Sequence, residues 1–344
     1  MSQSFGTVEN REARIYTLEN GYLRVRITDY GGILVSIEAP DRAGRKDHIV
    51  LGFEDASTYA NSAGSFGAII GRCANRIAGG TFTIDEIRYE TSRNDRGSTL
   101  HGGKTGFSKR FWSASQEGAS LVLSLVSADG DQGFPGEVSV TATYRLEGCE
   151  LMLDLVARTT KATPVSLSTH PYFNLEGSKA NDCLAHLVTI ASNEILETGA
   201  YQIPTGRRIS VAGTAFDFKA PRAIGERIHE PTAELEYGGG YDHYFVLAGQ
   251  SSPRAPRLAA RIVDQISGRV LEILTTQPGL QFYSGNELNG KVPGRSGLYR
   301  QSAGFAIEPH GFPNAVNQSD FPSVVLYPGE IYQERTIYRF LVAQ

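Results

Sequence analysis

The chain has 344 residues, with 33 Lys and Arg against 37 Asp and Glu and a net charge of -4, so it can bury a large core and offers no basic field to draw in nucleic acid or an anionic membrane. Its three cysteines, Cys73, Cys149 and Cys183, are odd in number, far apart and without a C-x-x-C pair, which argues against a zinc or redox motif and leaves reduced, mostly buried thiols. No apolar signal region stands in the first thirty residues, and no window reaches the roughly 18 apolar residues that span a bilayer; the expectation is a soluble cytoplasmic protein in which the sequon Asn317-Gln318-Ser319 is idle.

From the N-terminus, Arg14 to Leu18 and Tyr22 to Thr28 read as strands joined by Glu19-Asn20-Gly21, because Asn-Gly between alternating runs is a strong hairpin signal. Gly31-Gly32 opens a third strand, Ile33 to Glu38. Residues 52 to 80 are glycine-rich around Gly71-Arg72-Cys73-Ala74-Asn75-Arg76-Ile77. Short strands at Thr81 to Ile84 and Ile87 to Glu90 then give way to a polar loop ending in Leu100-His101-Gly102-Gly103. Loops of this kind between strands are where all-β enzymes build sites.

The middle of the chain is strand pattern at Leu121 to Ser127, Glu137 to Leu146 and Glu150 to Arg158, where β-branched residues alternate as a half-buried strand requires. Thr163 to Thr169 reads as another strand, ending on His170-Pro171; the residue before proline is held extended, which presents the imidazole near a strand end. Further strands are expected at His186 to Ile190, His243 to Leu247, Leu258 to Asp264, Arg269 to Thr275, Leu280 to Tyr283, Ala303 to Glu308, Ser323 to Tyr327 and Thr336 to Val342. Ala223 to His229 is the best short helical candidate. With no repeat or linker, the pattern predicts an all-β fold: one large antiparallel β-sandwich over residues 1–344, with few short helices.

Four of the seven histidines sit beside glycine, proline or another polar candidate: His101, His170, His243 and His310. A single histidine in such a setting is more often structural, but the set invites acid/base chemistry. Glu308 ends an apolar run, Gly304 to Ile307, where lost hydration raises a carboxyl towards the range of a working base; its alternative is a strand-end partner for an arginine. Asp242, after Gly238-Gly239-Gly240, is either a site residue or a turn former.

Other chemistries are weaker. There is no Gly-x-Ser-x-Gly elbow and no His-Glu-x-x-His, so an α/β-hydrolase and a zinc site are not expected. Gly285 to Lys291 imitates the start of a P-loop, but Val292 stands where the magnesium-binding Ser or Thr belongs and Pro293-Gly294 breaks any following helix.

In their order, Gly71-Arg72-Cys73-Ala74-Asn75-Arg76-Ile77, Leu100-His101-Gly102-Gly103, Gly133-Phe134-Pro135-Gly136, His170-Pro171-Tyr172-Phe173-Asn174-Leu175, Tyr241-Asp242-His243 and Gln281-Phe282-Tyr283-Ser284-Gly285-Asn286 resemble the aldose 1-epimerases, or galactose mutarotases. The resemblance covers nearly the whole chain. It implies a β-supersandwich with an open, cofactor-free, metal-free sugar cleft in a monomer or homodimer. By position it implies Glu308 as general base and His170 as general acid, with Asn75, Arg76, His101, Asp242 and Gln281 binding the sugar. Two departures stand out: Pro309-His310 follow the glutamate where the family commonly has Thr-Gln, and Pro171 follows the histidine where serine is usual.

The function this implies is interconversion of the anomers of a free aldohexose such as glucose or galactose, with an ionised Glu308 and a protonated His170 and hence a bell-shaped pH dependence. Arg76 either orients the ring oxygen or pairs with Glu308 or Asp242. Two other functions remain open: a hexose-6-phosphate 1-epimerase, which would need a basic phosphate pocket beyond Arg72 and Arg76, and a sugar-binding protein without catalysis.

Overall fold

The structure, a computed structural model, describes residues 2–62, 64–249, 255–291, 293–295 and 297–343. Period-two burial is the local rule. In Val138–Glu147, residues Val138, Val140, Ala142, Tyr144 and Leu146 point inward and their neighbours outward, as expected of a strand with one wet face.

Three large antiparallel sheets result. A five-stranded meander takes the N-terminal residues from Gln3 to His48. A nine-stranded sheet runs from Ser113–Glu117 at one edge, through Tyr332–Val342 near its middle, to Arg222–Ala223 at the other. The third has six strands in the order Tyr172–Phe173, Phe305–His310, Gly279–Tyr283, Asp242–Leu247, Ser192–Thr198 and Pro204–Ser210. One apolar cluster links them, from Val25 and Ile37 through Val140 and Leu153 to Phe245, Phe282 and Ile307.

Inside the six-stranded sheet, Gly279–Tyr283 and Phe305–His310 are buried along their whole length. One face supplies Leu280, Phe282 and Ile307 to the core. The other carries Gln281, Tyr283 and Glu308 to a cleft.

Several sequence expectations need correction. Glu308 does not end its strand: Phe305–His310 continues through Pro309, which pairs with Leu280. Thr163 to Thr169 is not one strand. Only Thr163–Pro164 and Ser168–Thr169 pair as strands, and between them Ser166 bonds instead to the backbone of Arg72 and Ala74. The expected helix at Ala223 to His229 is a strand end followed by a 3₁₀ turn, Ile224–Glu226; among the described residues the α-helices are Ala56–Asn61 and Ala233–Gly238. Of Ser323 to Tyr327 only Val325–Leu326 is strand. The P-loop imitation forms no strand or helix over Gly285 to Lys291; its telling residue, Val292, lies outside the described residues.

Arg72 lies in the interior, 2% exposed. It donates to Ser127 Oγ and the carbonyls of Ser127, Ala128 and Pro135 at 2.7–3.0 Å, pinning the Phe134-Pro135-Gly136 turn, and burial lowers its pKa to about 10. Replacing it with Met strands those buried acceptors, each costing about 1–3 kcal/mol. The expected result for Arg72→Met is an unfolding free energy, from urea titration, lowered by about 3 kcal/mol or more, and an unchanged value would contradict this role.

Candidate active site

The cleft has a volume of about 320 Å³ and is lined by Asn75, Arg76, His101, His170, Asp242, Gln281 and Glu308, together with Tyr59, Phe66, Tyr172 and Tyr283. All seven residues singled out in the sequence therefore meet in one place. The register of the six-stranded sheet sets three of them abreast. Gln281 pairs directly with Glu308, and Tyr244 with Gln281, so Asp242 sits one diagonal step away, within the reach of cross-strand neighbours. Gln281 Nε2 donates to Asp242 Oδ1 at 2.6 Å.

His170 arrives from the far edge of the sheet. Its backbone is tied to Gly67 and Ala68, and Tyr172 two residues on pairs with Ala306, which brings the imidazole level with Glu308. Nε2 of His170 lies 3.4 Å from Oε1 of Glu308.

Asn75, Arg76 and His101 come from a separate ladder in which Leu100 pairs with Arg76. The backbones of Asn75 and His101 are bonded, and Asn75 N–H donates to His101 Nδ1 at 3.2 Å. Gly102 must be glycine: its φ is +83°, and a Cβ there would lie 1.9 Å from the Gly71 carbonyl oxygen. Asn75, Arg96, His101 and Gln202 all hold φ between 44° and 59°, a left-handed conformation that costs a side-chain-bearing residue energy and clusters at functional sites.

Burial dominates the electrostatics. It raises Glu308 well above the usual carboxylate range, and the nearby charge of Asp242 raises it further while Arg76 opposes. Burial lowers His170 to about 4. The pair therefore favours one shared proton over the doubly charged arrangement expected from sequence, and its titrations belong to the pair. Glu308 Oε2, His170 Nδ1 and Gln281 Oε1 are buried without a partner, which is costly unless a ligand supplies one.

Arg76 pairs with neither Glu308 nor Asp242. Its Nε donates to Asp95 Oδ2 at 2.7 Å and one Nη to Gln202 Oε1 at 2.9 Å. Sequence reasoning missed Asp95, Arg96 and Gln202, which sit in polar turns without a motif. Two of the suspected histidines leave the set: His243 packs on Phe216 at 4.5 Å and His310 on Tyr244 at 5.2 Å, and neither lines the cleft.

His101, His170 and Glu308 each bring one ligand atom within 4.8 Å of the other two, so a metal deserves a test against the chemistry. Asn75 N–H occupies the lone pair of His101 Nδ1 and thereby places the ring proton on Nε2. That makes His101 a donor towards the cleft, whereas a metal ligand must offer a bare nitrogen.

A family profile described as Aldose 1-epimerase matches residues 14–339. The chain belongs to this family. It is 42% identical to the galactose mutarotase of Bos taurus and 41% identical to that of Homo sapiens, in each case over 98% of this chain and 95% of the relative. It is 34% identical to the aldose 1-epimerase of Escherichia coli K12 over 95% of each. Among solved structures, an aldose epimerase homologue from C. elegans superposes with a TM-score of 0.88 at 26% identity, covering 96% of this chain and 100% of that one. The fold is thus the all-β supersandwich of the galactose mutarotases, and the family is one of isomerases. No helix among the described residues is long and apolar enough to cross a membrane.

Six histidines, His48, His101, His170, His186, His243 and His310, are held below their ordinary pKa, chiefly by burial. The unfolded chain protonates each near 6.5, while the folded chain resists until about 4 at His170 and His310 and about 3 at His243. Folding stability therefore falls as pH drops through that window. Four carboxyls that burial raises, Asp29, Glu176, Asp242 and Glu308, act in the opposite sense but are fewer. Thermal unfolding should show Tm falling from about pH 7 to about pH 4.5; a flat or rising Tm would contradict the burial argument.

Proposed function

We propose that the chain interconverts the α and β anomers of a free aldohexose such as glucose or galactose by opening and reclosing the pyranose ring. The observation that carries the reading is the 3.4 Å approach of His170 Nε2 to Glu308 Oε1 at the cleft. The anomeric hydroxyl and the ring oxygen are bonded to the same carbon, so a base and an acid that serve both must be near neighbours.

The reacting form is the less favoured tautomer of the one-proton pair, with the proton on His170; Glu308, then a carboxylate, takes the proton of the anomeric hydroxyl. The freed pair forms the C1 carbonyl, the bond from C1 to the ring oxygen breaks, and that oxygen takes the proton of His170. Rotation about C1–C2 and the reverse steps give the other anomer. Only protons change hands, one to Glu308 and one from His170, so no cofactor is called for. Arg76, His101 and Asn75 offer donors, and Asp242 and Gln281 acceptors, to the ring oxygen and hydroxyls.

Lying deep in the interior, Arg72 supplies nothing to a phosphate. Arg76 and Lys109 are the cations lining the cleft, and Arg76 is already paired with Asp95. This favours a free sugar over its 6-phosphate. One chain carries the whole site, so a monomer suffices. Buried, unpaired Cys73 and Cys183 suit a reducing compartment such as the cytoplasm.

Polarimetry of freshly dissolved α-glucose and α-galactose, with and without protein, tests the activity; no acceleration with either sugar would leave a binding protein. Glu308→Gln should lower kcat by about 10²–10⁴-fold while retaining the native fold, and an active, folded variant would remove Glu308 from its role. The pH profile of kcat/KM should be a bell. Its acid limb lies near about 4, where His170 takes up a second proton. Its alkaline limb comes where the pair loses its shared proton, above the ordinary carboxylate range because Glu308 is raised. An acid limb at an ordinary histidine value would refute the one-proton pair.

A further inference from the structure

Behind the sugar-facing residues lies a polar knot centred on Gln202, which is 7% exposed and does not line the cleft. Its Oε1 accepts from an Nη of Arg76 at 2.9 Å and from an Nη of Arg96 at 2.7 Å. Its Nε2 donates to Asp242 Oδ2, whose other oxygen is held by Gln281. The two guanidiniums also share Asp95, Arg76 through Nε at 2.7 Å and Arg96 through Nε at 3.3 Å.

The orientation of the amide is fixed by charge. Reversed, its NH₂ would face two cations and its carbonyl a carboxylate. The backbone is fixed as well. Gln202 lies in the turn between Ser192–Thr198 and Pro204–Ser210, with its N–H on the Gly199 carbonyl and φ at 57°. A glutamine is thus held in left-handed backbone, where glycine or asparagine would be easier.

We propose that Gln202 is a positioning residue for substrate binding: it joins Arg76 to Asp242 so that a guanidinium and a carboxylate stand side by side, one as donor and one as acceptor to neighbouring sugar oxygens. An amide is the group that does this. It accepts from the cations, donates to the anion and carries no charge of its own; its hydrogen bond to Asp242 favours the ionised carboxylate against the burial that raises that group, and a carboxylate can accept from sugar hydroxyls. The proposal rests on the reading of Asp242 and Arg76 as sugar-binding groups.

The test is a set of variants measured by polarimetry, with circular dichroism and Tm confirming the fold. Gln202→Ala should raise KM about tenfold or more, the scale of one lost charge-assisted hydrogen bond, with kcat within about threefold, since the interaction is made in ground and transition states alike. Gln202→Glu preserves the acceptor for both arginines but sets a carboxylate against Asp242. Two such groups share a proton, so KM relative to wild type should be lower at about pH 5 than at about pH 8, a dependence that loss of packing would not produce. Combining Gln202→Ala with Asp242→Asn should give less than the product of the single effects, because the first acts through the second. An unchanged KM in Gln202→Ala, fully multiplicative effects in the double variant, or a pH-independent KM ratio in Gln202→Glu would overturn the proposal. If Asp242→Asn alone leaves KM unchanged, the sugar-binding reading of Asp242 falls and the proposal with it.

Discussion

The register between Gly279–Tyr283 and Phe305–His310 is the constraint on which the site depends. Because Gln281 is paired with Glu308, and because side chains alternate across a strand, the strand that sends Phe282 into the core sends Gln281 to the cleft. A slip of one residue would exchange the two faces, burying carboxylate and amide in hydrocarbon and exposing Phe282 and Ile307. The apolar core therefore fixes the register, and the register places Gln281 and Glu308 at the cleft. Residues that never approach a sugar, such as Leu280 and Phe245, contribute to its geometry in this way.

Around that fixed sheet the remaining groups are delivered by backbone held in uncommon conformations. Asn75 and His101 occupy left-handed φ and bond to each other, and the adjacent glycine packs its backbone against that of Gly71. The effect is to commit each polar group before substrate arrives. His101 has its proton placed by Asn75, Asp242 has both oxygens held by glutamine amides, and Arg76 is gripped by Asp95 and Gln202. Among the buried atoms of these groups, one each on His170, Glu308 and Gln281 is left without a partner. Preorganisation of this kind lowers the cost of ordering at the moment of binding.

Much of this was legible in the sequence where side-chain pattern and structure share a cause. Thr81–Ile84 and Arg269–Thr275 fall where their pattern placed them, because burial on one face both selects and reveals it. Gln3–Val8, Ser113–Glu117 and Pro204–Ser210 did not show themselves. They are edge strands, largely wet, and the last two carry polar residues on both faces. Helices of six residues are too short to display a 3.6 period, which is why Ala56–Asn61 and Ala233–Gly238 stayed hidden. In the site, the seven residues carried by motifs came together, whereas Gln202 and Asp95 act through hydrogen bonds to residues far along the chain, and no local signal records such a partner. Glu308 was found for a reason that needed amendment: its strand runs on past it, and its desolvation comes from cover on both faces of the sheet.

The deep burial of the His170 and Glu308 pair has a consequence for traffic with the solvent. In the mechanism proposed for the pair, ring opening takes a proton from the imidazolium as another reaches the carboxylate, and ring closure returns both, so each turnover would hand the pair back unchanged whichever anomer entered. A catalyst that neither consumes nor releases a proton needs no wire of waters to the surface and no step of reprotonation from bulk. Burial favours the neutral form of the pair, which in the proposed mechanism is the form that accompanies the open sugar.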